Sequence, residues 1–138
     1  MFKVEQPYKD FLGNDQVDSL YFNISESEMY EFAKENQKFS PDYLRYILEN
    51  GRGIDLVDVI REIIVLAYGE LSDDGKKFRK SNERALEFVQ SAAYDALFER
   101  LVNSEENDNF VMDFLIGVFP DKFTKTLSGT AKPVPINK

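Results

Sequence analysis

Apolar and polar positions along the chain follow first a strand-like and then a helical period. Over the first 22 residues, two short aromatic or β-branched pieces, Tyr8 to Leu12 and Val17 to Phe22, flank a polar Gly13-Asn14-Asp15 turn, with Pro7 just ahead. This predicts a short hairpin or a pair of edge strands. Helical punctuation begins at Ser25, which with Glu28 three residues on makes a capping box that satisfies two N–H groups left over at a helix start. Met29, Tyr30, Phe32 and Ala33 follow on one side, and the helix is expected to end near Asn36. Ser40-Pro41 opens a second helix, since proline at the first helical position lacks a donor that would go unpaired anyway. Tyr43, Leu44, Ile47 and Leu48 form its stripe and Asn50-Gly51 stops it.

The stretch from Asp55 to Ala67 is rich in β-branched residues that would suit a buried strand. Its length and the set Leu56, Val59, Ile60, Ile63, Ile64 and Ala67 decide for a helix. Val57, Val65 and Leu66 add apolar surface off that stripe, as expected of the most buried helix, and Gly69 reads as its stop. Ser72-Asp73-Asp74-Gly75 is a turn signal, followed by a short basic piece, Lys76 to Lys80, that can be extended. Ser81 or Asn82 then opens a helix carrying Leu86, Phe88 and Val89. Ser91 opens the next, in which Tyr94, Leu97, Phe98, Leu101 and Val102 fall at helical spacing. A final helix is expected from near Ser104, with Phe110, Val111, Phe114, Leu115 and Val118 along one side and Pro120 at its end. Residues 121–138 have scattered apolar side chains, two prolines and no period, which predicts a disordered tail.

These elements predict a mainly α protein: a compact bundle of about five to six helices with a short N-terminal β hairpin or edge strands and a disordered C-terminal tail. The expected organisation is one domain over residues 1–120, divided into a β-like segment 1–22 and a helical body 25–119, with a flexible basic tail over 121–138. A length of 138 residues suits one domain with its own core.

Composition narrows the chemistry. The chain has no cysteine and no histidine, which excludes disulfides, thiol catalysis, Cys/His zinc sites and every Ser/His or Cys/His nucleophile system. Carboxylate, lysine or tyrosine chemistry is what remains. The 25 acidic against 17 basic residues give a net charge of −8, which opposes binding to nucleic acid or an anionic membrane. That charge is divided unevenly: four lysines against Asp121 make residues 121–138 net +3, so residues 1–120 carry −11. A basic tail on an acidic body suits docking on another subunit's acidic surface, and a solvated C-terminus is the plainer reading. Phe2-Lys3-Val4-Glu5-Gln6-Pro7 lacks the apolar core of a signal peptide, and the longest apolar run, Ile63 to Tyr68, is too short to span a bilayer. A cytosolic location follows as the expectation, with no membrane and no nucleic-acid partner.

No motif for catalysis or ligand binding stands out. Asp73-Asp74-Gly75 beside Lys76-Lys77 lacks the ligand spacing of a calcium loop and the Gly-rich Lys-Ser/Thr pattern of a phosphate loop, so it reads as a turn. Glu105, Glu106, Asp108 and Asp113 are explained by a polar helix start. A non-enzymatic protein without catalytic residues, cofactor or metal is expected. Lys76, Lys77, Arg79, Lys80 and Arg84, with Phe78 among them, form the one basic cluster, either a docking patch for an acidic partner or a solvated face. Twelve Phe and seven Tyr exceed what one modest core must hold, and Phe110 to Phe119 is apolar on more than one side. Such a helix is either the central strut of the core or a surface for another chain.

The order of several short motifs adds a family resemblance. Ala67-Tyr68-Gly69-Glu70, then Ser72, Asp74-Gly75, Phe78 and Lys80-Ser81, then Phe88, Ala93-Tyr94, Leu97-Phe98 and Leu101, and finally Phe114-Leu115 and Gly117-Val118-Phe119-Pro120, resemble the small (short-form) tail assembly chaperones of long-tailed bacteriophages of Gram-positive bacteria. The resemblance covers about residues 55–120, with support from Tyr21-Phe22 and the capped helix after Ser25. It implies a protein of the host cytoplasm that binds the phage tape measure protein, keeps it soluble, helps recruit tail tube protein and is absent from the finished virion. It also implies a homo-oligomer, and association with a longer form made by ribosomal frameshifting. Within that scheme Phe110, Phe114, Val118 and Phe119, together with Phe78 and Lys77, are the expected partner contacts. The alternatives are an acidic adaptor or inhibitor that covers a basic surface, and a minor structural tail protein.

Overall fold

The computed structural model describes residues 1–35, 43, 46, 53–103 and 108–123. Two strands of eight residues, β1 (Phe2–Lys9) and β2 (Asp15–Phe22), pair antiparallel from Phe2 opposite Phe22 to Lys9 opposite Asp15. Alternation does the rest: Val4 and Gln6 on β1 and Leu20 and Phe22 on β2 are buried, while Lys3, Glu5, Pro7 and Lys9 face solvent. The first strand thus lies ahead of the expected Tyr8–Leu12, and Phe11 and Leu12 belong to the turn. Pro7 is the reason the sequence misleads. The Asp10 N–H donates to the Asn14 carbonyl at 2.9 Å, so even-numbered residues of β1 bond to β2 and the Pro7 nitrogen looks to the open edge, where a missing N–H is harmless. Buried Gln6 is satisfied, its amide donating to the Pro7 carbonyl at 2.8 Å and its Oε1 accepting from Arg100 at 3.1 Å.

Helix α1 (Glu26–Glu35) carries the capping box: Ser25 Oγ accepts from the Glu28 N–H, and Glu28 Oε1 accepts from the Ser25 N–H. Of the expected helix from Ser40 to Gly51 only Tyr43, which packs against the core, and Tyr46 are described; the rest lies outside the described residues. Helix α2 (Gly53–Ala67) buries Val59, Ile60, Ile63, Ile64 and Ala67, so the β-branched run is helical. It passes directly into strand β3 (Tyr68–Leu71), which pairs antiparallel with β2 through Phe22–Tyr68 and Tyr21–Gly69. Strand β4 (Phe78–Arg79) pairs with β3 and completes a four-stranded sheet in the order β1-β2-β3-β4. The chain is therefore mainly helical with a more substantial sheet than its pattern predicts, because β3 and β4 are too short to show an alternation.

Gly69 is not the left-handed helix stop that its position suggests. It sits within β3, and a Cβ there would lie 2.7 Å from Lys80 Cγ and from Phe78 Cε2 and 2.8 Å from the Arg79 carbonyl oxygen. The position is bare so that β4 can cross closely. Lys80, delivered by that crossing, sends its ammonium to three acceptors at 2.8–2.9 Å: the Asn23 carbonyl, the Leu66 carbonyl near the end of α2, and the carboxylate of Glu28. One cation therefore ties the end of β2, the start of α1 and the end of α2 together, and its position over the last turn of α2 also suits that helix's negative end. The Lys80–Glu28 pair is only 19% and 30% exposed.

Helices α3 (Asn82–Val89) and α4 (Ala92–Val102) start at Ser81 and Ser91, whose side chains accept from the N–H groups of Arg84 and Tyr94. Helix α5 (Asp108–Val118) follows; the expected start near Ser104 lies outside the described residues. Helix α4 packs on β1 and α2, and α5 packs on β1, so helices cover one face of the sheet. Residues 121–123 add a helical turn, with the Phe123 N–H on the Pro120 carbonyl and Phe123 against the core. The remainder of the expected tail lies outside the described residues.

A continuous run of rings crosses the core. Phe110 meets Phe2 at 5.9 Å, Phe2 meets Phe114 at 5.3 Å and Phe114 meets Phe22 at 5.5 Å. Phe22 meets both Tyr68 and Phe88, which stack at 4.2 Å and 3°, and the run continues through Tyr94 to Phe98. Edge-to-face geometry dominates, as the ring quadrupole favours. The high aromatic content is in large part the content of this core.

Candidate partner-binding surface

The residues expected to meet a partner fall on two elements. On α5, Phe114 and Val118 are fully buried, and Phe119, just past its end, is nearly so. Phe114 is held between Phe2 and Phe22, and the Val118 carbonyl accepts from the Ile24 N–H at 2.9 Å. These side chains form the wall on which the first hairpin rests, and a partner would reach them only if α5 moved. Phe110, at the other end of the helix, is half-buried, with the Arg100 guanidinium 3.9 Å from its ring centroid.

Lys77 and Phe78 lie at the β3–β4 turn. Lys77 is exposed and Phe78 half-buried. The turn is built by Ser72 and Asp74: Ser72 Oγ donates to Asp74 Oδ1 at 2.7 Å and accepts from the Lys77 N–H, while Asp74 Oδ1 also accepts from the Lys76 N–H. These bonds, the Ser72 hydroxyl first, hold the Asp74 carboxyl below its ordinary pKa. Gly75 completes the turn at φ 76°. The basic cluster is partly spent inside the chain, since Lys80 is tied as above and Arg84 Nε donates to Glu70 at 3.2 Å. Lys76, Lys77 and Arg79 keep exposed side chains.

The surface that the pattern of the sequence did not reveal is the tip of the first hairpin. Asp10 to Gly13 closes a three-residue loop, with the Gly13 N–H on the Asp10 carbonyl and Gly13 at φ 88°. The Asp10 carboxylate accepts from the Leu12 and Asn14 N–H groups and from the Gln16 amide, each at 2.9 Å. Gln16 and then Asn14 are the main reasons its pKa lies below the ordinary value. Phe11 and Leu12, held in this frame, are 79% and 87% exposed. The available signal was Asp-x-x-Gly, the spacing that suits the first and last positions of a type I turn.

Between β2, β3 and α3, Asp18, Glu70, Arg84 and Glu87 line a groove together with Tyr68 and Phe88. Burial, then the charges of Glu70 and Asp18, raise the Tyr68 pKa. Among the described residues no three Asp or Glu side chains converge as a metal site, and no helix is long and apolar enough to cross a membrane. Of the acidic cluster near α5, Glu105 and Glu106 lie outside the described residues and Asp113 is exposed.

What the fold offers is a helix-backed sheet with an exposed apolar turn, the makings of a protein that acts by contact. Comparison with known sequences makes this specific: the profile of the phage tail assembly chaperones matches residues 1–135, and the chain belongs to that family. The match takes in the N-terminal hairpin that the shorter resemblance left out. Membership places its work in tail assembly within the infected host cell, in contact with tail proteins. No curated protein and no solved structure matches the chain.

Proposed function

We propose that the chain is a non-catalytic chaperone of long-tailed phages of Gram-positive bacteria that binds the tape measure protein, keeps it soluble and helps recruit tail tube protein. The observation that carries this reading is the family match across residues 1–135, with the motif order from Ala67 to Pro120 supporting the narrower assignment. A helix-rich, aggregation-prone client needs apolar contact from its chaperone and a charged body to keep the pair in solution. The −11 of residues 1–120 supplies the charge. Phe110, Phe78 and Lys77 retain surface for contact, while Phe114, Val118 and Phe119 would take part through the wall they form. Self-association, partnership with a frameshifted longer form and departure before the virion is finished belong to the same reading.

Co-expression with the tape measure protein of the same genome tests it. The expected result is a larger soluble fraction of client and a complex that copurifies. Unchanged client solubility with no complex overturns the proposal, and finding the chain in purified particles favours a structural tail subunit instead.

A further inference from the structure

The β1–β2 turn contains a conflict between local sequence and exposure. Its frame is built as a turn requires, with aspartate first, glycine in the left-handed region last, and three hydrogen bonds converging on the Asp10 carboxylate. Its two central positions are the ones a turn leaves to solvent, and they hold phenylalanine and leucine. Neither contributes to the core, for both are largely exposed and neither packs against it. On the outer face of the hairpin, Val17 is 63% exposed and pairs across the strands with exposed Pro7, so the apolar surface continues behind the tip. A local choice that the fold does not need points to a function outside it.

We propose that the Phe11-Leu12 tip is the element that grips the client, inserting into the apolar stripe of a helical tail-protein segment bordered by lysine or arginine. Charge identifies the occupant. Lys9, Asp10, Asp15 and Asp18 leave the end of the hairpin at net −2, with Lys9 already bonded to Asp15 at 2.7 Å. A second copy is itself acidic, −8 in all and −11 over residues 1–120, so that body disfavours the tip, whereas a basic border attracts it. Geometry adds the mode of contact: two adjacent side chains on a rigid convex turn fit between the residues of a helix face, as a knob enters a hole. A pre-ordered loop also loses little freedom on binding. This inference rests on the reading of the chain as a binder of a helical tail protein.

The test compares capture of the co-expressed tape measure protein by the wild-type chain, by Phe11→Asp/Leu12→Asp, and by Leu86→Asp, which places the same change at another exposed apolar residue. Thermal unfolding of all three should coincide, because no side chain changed is buried. The expected result is at least a roughly tenfold weaker complex for the tip variant alone, and a wild-type complex that weakens as salt is raised. Equal capture by wild type and tip variant overturns the grip while leaving the client reading intact. Equal loss in the Leu86 variant overturns it too, since the tip would then have no special role. A tip variant that keeps its client but changes its subunit number on sedimentation makes the tip a self-association surface and overturns the assignment. No capture by the wild-type chain overturns both readings together.

Discussion

The two hairpin turns of this chain are made with the same devices and left with different contents. Each has an aspartate whose carboxylate collects hydrogen bonds and a glycine in the left-handed region, Asp10 with Gly13 and Asp74 with Gly75. The β3–β4 turn fills its remaining positions with Asp73, Lys76 and Lys77, which water alone would justify. The β1–β2 turn holds Phe11 and Leu12, likewise exposed to solvent. Their roots differ as well. The first hairpin rests on the aromatic wall of α5, whereas the second is drawn into the body by Lys80 crossing over Gly69. Stability is therefore expected to reside in the roots, with the tips nearly equivalent until a partner is present.

The largest effect should come from the root of the first hairpin. Phe114→Ala removes a fully buried ring in contact with Phe2 and Phe22 and is expected to cost about 3–5 kcal/mol in urea unfolding. A loss below ~1 kcal/mol would mean that the wall is not what holds the hairpin. At the root of the second hairpin, Lys80→Met leaves the Asn23 and Leu66 carbonyls and the Glu28 carboxylate without their shared donor, for a loss of about 1–3 kcal/mol. Gly69→Ala should be comparable, at about 1–3 kcal/mol, because one of the atoms its Cβ meets is the Arg79 backbone oxygen, which can move only with β4.

The tips come next. Gly13→Ala and Gly75→Ala each place a side chain at positive φ with open space around it, so each should lose about 1 kcal/mol through backbone strain alone. The equality is the point: only Gly13→Ala should also weaken client capture, and an equal effect on capture from Gly75→Ala would erase the distinction between the turns. The smallest effect is expected from acid. Asp10 and Asp74 both have lowered pKa values in the folded chain, so their contribution is present above the ordinary value of 3.8 and is lost as pH falls through their folded values. Amide signals of Leu12, Asn14 and Lys76 should shift together in that range. If Lys76 moves while Leu12 and Asn14 stay, the shared chemistry of the two turns is refuted.

Much of this architecture is legible in the amino-acid sequence. The capping box at Ser25, the serine caps at Ser81 and Ser91, and the helical stripe from Val59 to Ala67 are local codes, and they appear as local codes do. The first strand begins well ahead of its expected place because proline is a poor guide at a sheet edge, where its lack of a donor has no consequence. Strand β3 is not legible in the sequence, since four residues carry no measurable period and it forms by pairing with β2, whereas β4 falls within the Lys76–Lys80 piece that can be extended and pairs with β3. The motif from Ala67 to Ser81 carries part of the resemblance, yet its residues build the second hairpin, the Lys80 tie and the cap of α3, so their spacing serves the fold. The apolar residues of α5 illustrate the same limit: a helix that is apolar on more than one side suits a core wall and a docking face equally, and only the neighbouring strands show which face is already covered.

The run of rings through the core has a use at the bench. The chain has no tryptophan, and the tyrosines within that run, Tyr68 and Tyr94, report on the intact core from inside it. Emission in the tryptophan band from any complex therefore belongs wholly to the partner. Burial and release of a tryptophan-containing client can be followed without a label, in the presence of as much chaperone as the experiment needs.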